Sequence, residues 1–185
     1  PTAGHYREAA HFEHAGLLGS ACGVSDEKVI PLLSETCNEV GVDVISAGNL
    51  MAFLMDATER DLLPAGFLDV SDRLGRDGLR WGDWRGMIEL IEALGERRGV
   101  ADLLSGGVAA TAASIGSEAE AIAFHSKGHE YAAWNPKALI STGLSYAIAN
   151  RGACHLASHF TCRQNRMAFL DSTGGCYFSM QLVDD

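Results

Sequence analysis

Residues 25–63 read SDEKVIPLLSETCNEVGVDVISAGNLMAFLMDATERDLL, and they decide the fold class. In the first half Val29, Leu32, Leu33 and Cys37 recur at three and four, the period of an amphipathic helix, and Gly41 stops it. Ser25 is a candidate cap, with Asp26 and Glu27 suited to the positive helix start. Pro31 calls for a kink or a later start. After a short break the second half is apolar nearly all round over Leu50–Met55, the pattern of a buried helix, and Pro64 and Gly66 close it.

Outward from this pair the pattern stays helical. SDRLGRDGLRWGD (71–83) reads as a loop, and Asp83 opens a helix with Ile88, Ile91 and Leu94 on one face. VADLLSGGVAATAASIG (100–116) reads as one further small-residue helix. Composition shifts near residue 125 to the turn-rich HSKGHEYAAWNPKALISTG, and LSYAIANRGACHLASHFTCRQNRMAFL (144–170) is again helical in pattern. Only CYFSMQLV near the end alternates like a strand. The expectation is an all-α fold, with a helical domain over 1–124 and a second over 125–185.

The chain has 185 residues, enough to bury a core, and a formal net charge of -10. That charge disfavours nucleic acid, whose binding rests on Lys and Arg neutralising phosphates. The longest apolar run, NLMAFLM, is too short to span a bilayer, so no membrane partner is expected. Five cysteines, an odd number, and no leader-like start point to a reducing cytoplasm rather than a disulfide scaffold. The start at Pro1 instead of Met suggests a fragment or a processed chain.

Two six-residue stretches share one pattern: NEVGVD (38–43) and DSTGGC (171–176). Each reads as an ordinary glycine helix end, the commoner case, or as a tight turn whose N–H groups cradle a polar ligand. In the second case Asp43 accepts hydrogen bonds, whereas Cys176 is a soft ligand suited to an iron–sulfur cluster. In NRGACHLASHFTC, a continuous helix would put His155, His159 and Cys162 on one face, a spacing that binds zinc but more often holds packed side chains. KGHEYAAWNPK brings Lys127, His129, Glu130 and Lys137 into one segment, with a solvated loop as the plainer reading. No phosphate loop, dinucleotide fingerprint or Ser/His/Asp motif is recognisable.

Four stretches resemble the tungsten-containing aldehyde ferredoxin oxidoreductases, in order: LLGSACGVSDEKVIPLLSETCNEVGVDVISAGNLMAF, HSKGHEYAAWNPKAL, GLSYAIANRGACHL and FLDSTGGC. The resemblance spans roughly residues 10–180. It implies helical domains closing on one tungsten (or molybdenum) bis-pterin beside a 4Fe–4S cluster. Carried over, Asn38 and Asp43 serve one pterin and Asp171 the other, and Cys176 is a cluster ligand. His155 matches the histidine near the metal, and Glu13 in HFEH matches an acidic position facing the site. The implied reaction oxidises an aldehyde, with water, to a carboxylic acid. Electrons pass through the cluster to ferredoxin or another electron-transfer protein, in an oligomeric enzyme.

The chain departs from that family in lacking a closely spaced cysteine triad, for which Cys22 and Cys37 are too far apart in sequence to substitute. Three readings follow: a fragment that continues into an N-terminal domain, one subunit of a split enzyme, or a non-catalytic structural or assembly relative. A benzoyl-CoA reductase catalytic subunit is a further enzyme alternative.

Overall fold

The computed structural model describes residues 11–155. Asp171 and Cys176, with His159 and Cys162, lie outside the described residues. The chain divides into two compact units, Pro1–Phe124 and His125–Asp185.

The first unit opens with α1 (Phe12–His14), which runs on through a π turn (Ala15–Gly19) and a 3₁₀ turn (Ser20–Cys22). The buried Cys22 thiol shares its S–H between Leu17 O of the π turn at 3.2 Å and Gly48 O at 3.5 Å. Helix α2 spans Val29–Val40 and so starts later than the Ser25 cap suggests. Pro31 explains the shift: it falls in the first turn, where a missing N–H costs nothing.

Helix α3 (Val44–Glu59) buries Ala47, Leu50, Met51, Phe53, Leu54, Met55 and Ala57, as its all-round apolar sequence requires. It packs against α1 and its continuation, against α2, and against the helical segments Gly107–Ile115 and Ser117–Ile122. Its end comes before Pro64. Asp61 turns left-handed at φ 55, and the Leu62 N–H returns to Ala57 O at 2.9 Å.

SDRLGRD is not a loop but α4 (Asp72–Asp77), capped by Ser71 Oγ, which accepts from Leu74 N at 3.3 Å. Buried Leu74 anchors it. Arg73 ties it to α5 (Trp84–Glu96) through Asp83 at 2.6 Å and Glu89 at 3.1 Å. Asp83 caps α5 as expected, accepting from Gly86 N at 3.1 Å, and α5 packs on α2. The stretch read as one small-residue helix is broken at Gly106–Gly107 into α6 (Ala101–Leu104) and α7 (Gly107–Ile115), followed by α8 (Ser117–Ile122).

The second unit begins with a two-residue hairpin, β1 (His125–Ser126) paired antiparallel with β2 (His129–Glu130). It continues to α9 (Ile140–Ile148), which buries Thr142, Ser145 and Tyr146. Tyr146 stacks edge-on with Tyr131 and donates to the Trp134 carbonyl at 3.2 Å. No single helix among the described residues is long and apolar enough to cross a membrane.

Candidate functional site

NEVGVD forms the corner between α2 and α3, whose axes turn by 114° there. Gly41 sits at φ 74, ψ 31, which only glycine adopts without strain. Its N–H donates to Asn38 O at 3.3 Å, and the Val42 N–H donates to Cys37 O at 2.8 Å, the paired bonds that close a helix on a left-handed residue. Two residues later Asp43 starts the next helix, accepting from Ser46 N through Oδ2 at 2.8 Å. The stretch is therefore a C-cap followed directly by an N-cap. The plain helix-end reading holds for its first half.

The same geometry leaves chemistry facing outward. Asn38, Gly41 and Asp43 are exposed, and a Cβ at Gly41 would meet nothing within 4 Å. The turn surface is thus open to an approaching ligand edge. One carboxylate oxygen of Asp43 is committed to the helix, and a carboxylate has acceptor capacity beyond one N–H. The start of a 16-residue helix also favours the negative charge. An acceptor carboxylate and an amide that both donates and accepts fit the mixed N–H and C=O edge of a pterin.

Beneath this corner lies Cys37. Burial, then the nearby Asp43 charge, pushes its thiol up to about 12, and burial alone pushes Cys22 to about 12. Both thiols are therefore protonated near neutral pH in this structure, and Cys22 points at backbone carbonyls. Among the described residues no three His, Cys, Asp or Glu side chains gather as a metal site.

Glu13 lies on α1, which packs against α2 and α3. The residue is partly buried, and its Oε1 is shut off from solvent. Next to it His14 shares a hydrogen bond between Nδ1 and Ser34 Oγ of α2 at 3.1 Å, and its ring meets His11 edge-on at 5.3 Å. The sequence reading did not single out His14 or the π turn. The glycines at 16 and 19 inside a helical stretch were the available signal.

In the second unit α9 ends at Ile148, so His155 does not continue a helix and lies in a turn, partly buried. The helix read over 144–170 is thus interrupted after Ile148, and the His155, His159 and Cys162 trio lies mostly outside the described residues. The two signature stretches HSKGHEY and NRGACH meet each other instead. Lys127 donates to the Ala149 carbonyl at 2.8 Å, and Arg151 donates to His129 Nε2 at 3.1 Å. Glu130 is buried, and the Lys137 N–H closes a turn on Asn135 Oδ1 at 2.8 Å. The Lys127–Lys137 segment is thus built into the unit around Glu130, while Lys127 and Lys137 stay exposed as a solvated loop would have them. Asn38, Asp43 and Glu13 belong to the first unit and His155 to the second.

A pocket of about 380 Å³ opens at the far end of α3, lined among others by Glu59, Asp61, Arg76, Arg80 and Trp81. Sixteen residues of helix span about 24 Å, so this pocket is separate from the Asp43 corner.

Residues 2–184 match the family model described as aldehyde ferredoxin oxidoreductase, domains 2 & 3. The chain is 30% identical over 159 residues to a tungsten-containing aldehyde ferredoxin oxidoreductase of Pyrococcus furiosus, covering 86% of this chain. It is 31% identical over 160 residues to the Thermococcus kodakarensis protein of the same name, again covering 86% of this chain. A third relative, the aliphatic sulfonate oxidoreductase, WOR-like subunit, of Pyrococcus furiosus, is 26% identical over 164 residues, or 85% of this chain. Each match covers 25% of the relative, so the chain spans about a quarter of the length of these proteins.

Proposed function

The chain belongs to the aldehyde ferredoxin oxidoreductase family, and on that premise we propose that it is the part of an oxidoreductase that carries one pterin-holding turn and acid–base residues for aldehyde oxidation. The observation that carries the reading is the family match along nearly the whole chain, residues 2–184. The open corner at Asn38–Asp43 supports it, because its exposed polar groups suit a pterin edge. The 1–124 and 125–185 segments then act as two helical domains, one for each pterin turn motif.

The net reaction is an aldehyde plus water giving a carboxylic acid, two protons and two electrons. A tungsten (or molybdenum) bis-pterin, when bound, supplies the two-electron acceptor. Asp43 and Asn38 hold one pterin, and Asp171 holds the other. Glu13 takes a proton from the water that adds to the carbonyl carbon, so that the C–O bond forms as the carbonyl gains negative charge. His155 polarises the aldehyde oxygen or relays the released proton. The 4Fe–4S cluster with Cys176, and ferredoxin as acceptor, complete the reading.

The relative named as an aliphatic sulfonate oxidoreductase favours a second reading of the substrate, in which an aliphatic sulfonate replaces the aldehyde.

The test is anaerobic purification of the native protein, with elemental analysis and dye reduction. Expected are tungsten or molybdenum with about four irons per site, and viologen reduction that depends on added aldehyde. Reduction with an aliphatic sulfonate alone would select the second substrate. Neither metal and no aldehyde- or sulfonate-dependent reduction would overturn the enzyme reading and leave a structural relative.

A further inference from the structure

Between the end of α9 and His155 the backbone leaves regular structure, so other groups must fix it. The loop closes on itself through Gly152 N–H to Ala149 O at 3.1 Å and Cys154 N–H to Gly152 O at 2.7 Å, and four further contacts hold it, all inside the second unit. The Lys127 ammonium donates to Ala149 O at 2.8 Å, at a helix C-terminus, where a cation is favoured. The Ser126 carbonyl fills the space that a Cβ on Gly152 would need, and Gly152 has φ 95, so glycine alone lets the loop lie against the hairpin. Arg151 donates to His129 across the same contact at 3.1 Å. The Ser145 hydroxyl donates to Cys154 O at 3.4 Å, on the peptide that leads into His155.

Lys127 breaks a local rule to take part. It sits at φ 55 in a two-residue hairpin turn with Gly128 at φ 81. Both central positions of such a turn need positive φ, which suits Asn, Asp or Gly rather than a long side chain. The lysine therefore contributes nothing to the turn that a smaller residue would not do better. What a smaller residue lacks is the reach to the Ala149 carbonyl.

The geometry points to Lys127 as a positioning residue: its ammonium holds the Ala149–Cys154 segment against the hairpin and so sets the place of the His155 imidazole. This inference rests on the catalytic role proposed above for His155.

The experiment compares Lys127→Met and Lys127→Arg in the native full-length holoenzyme. Methionine keeps an unbranched stem and removes the donors, whereas arginine keeps a donor at similar reach. Small displacements of a reacting group cost on the order of ten- to a hundredfold in rate. For Lys127→Met, kcat should fall by about that factor with KM for the aldehyde within about twofold, and Lys127→Arg should regain most of it. Independently of activity, carbethoxylation by diethyl pyrocarbonate, read by mass spectrometry, should be several-fold faster at His155 in Lys127→Met. It should stay unchanged at His14 in the first unit, and Lys127→Arg should restore the His155 rate. Unchanged kcat with unchanged His155 labelling overturns the inference. So does a loss confined to KM, which would make Lys127 a substrate contact. An equal loss of activity and thermal stability in both variants overturns it too, leaving a structural role only. If the wild-type enzyme oxidises no aldehyde, the function proposed above fails, and the labelling comparison still decides whether Lys127 places His155.

Discussion

Replacing Asp43 in two ways separates its role in the fold from its proposed role toward a pterin. The carboxylate accepts from Ser46 N at 2.8 Å and so satisfies one of the four N–H groups left open at the start of α3. Alanine removes that acceptor, and losing such a cap costs about 1 kcal/mol. At this chain length that corresponds to a fall in Tm of about 2–4 °C. Asparagine is as good a cap as aspartate, so Asp43→Asn should stay within a few tenths of a kcal/mol of the native protein. What asparagine loses is charge and acceptor capacity. If Asp43 holds a pterin through its carboxylate, Asp43→Asn should fold normally yet retain less tungsten or molybdenum and less extractable pterin. Thermal unfolding followed by circular dichroism, beside metal and pterin analysis of the same preparations, reads both quantities. Equal destabilisation by Ala and Asn would refute the capping argument. Full metal and pterin content in Asp43→Asn would refute the cofactor role while leaving the cap intact.

Gly48→Ala sets two effects against each other. Helix propensity favours alanine by about 1 kcal/mol, but its Cβ would stand 2.6 Å from Leu17 Cβ and 2.9 Å from the Leu17 carbonyl carbon. Overpacking costs about 1–3 kcal/mol, and here part of the obstacle is backbone, so urea denaturation should show net destabilisation; a stabilised variant would contradict the packing. The buried thiols give a pH test. Cys22 and Cys37 are pushed up to about 12 from an ordinary 9.0, so the folded state binds their protons more tightly than the unfolded chain does. Their contribution should be constant below pH 9.0 and should fall as pH rises from there towards about 12. Iodoacetamide should label neither in the native protein near neutral pH, and rapid native labelling would show that one is accessible after all.

The long helices were readable because their causes are local. The period of Val29, Leu33 and Cys37, the all-round apolar run before Asp56 and the cap at Asp83 each sit within a few residues of what they determine. The misreadings arise where a distant partner decides. Ser71 to Asp77 looks like a loop until Arg73 finds Asp83 and Glu89, and Leu74 finds the core. The small-residue helix breaks because two adjacent glycines tip the balance, and its period alone does not show that. At the site, the Asn38–Asp43 corner was legible as a glycine turn. That Asp43 would serve as a cap depends on α3 beginning one residue later. The hairpin's hold on the loop before His155 was not legible, since Lys127 and Ala149 are joined only through the fold.

The π turn after Glu13 bears on more than the packing of α1. Each residue of an α-helix advances the side-chain direction by about 100°. A π turn takes up one residue more than an α turn. The five residues Ala15–Gly19 therefore act as a phase shifter between Glu13 and the buried Leu17–Leu18 face. Removing one residue there would produce a smoother helix and would swing the Glu13 carboxylate by about a quarter of a circle. The direction of that side chain is encoded by how many residues follow it, independently of which residues they are. A single-residue deletion in this stretch would thus redirect Glu13 without changing any side chain proposed for the site.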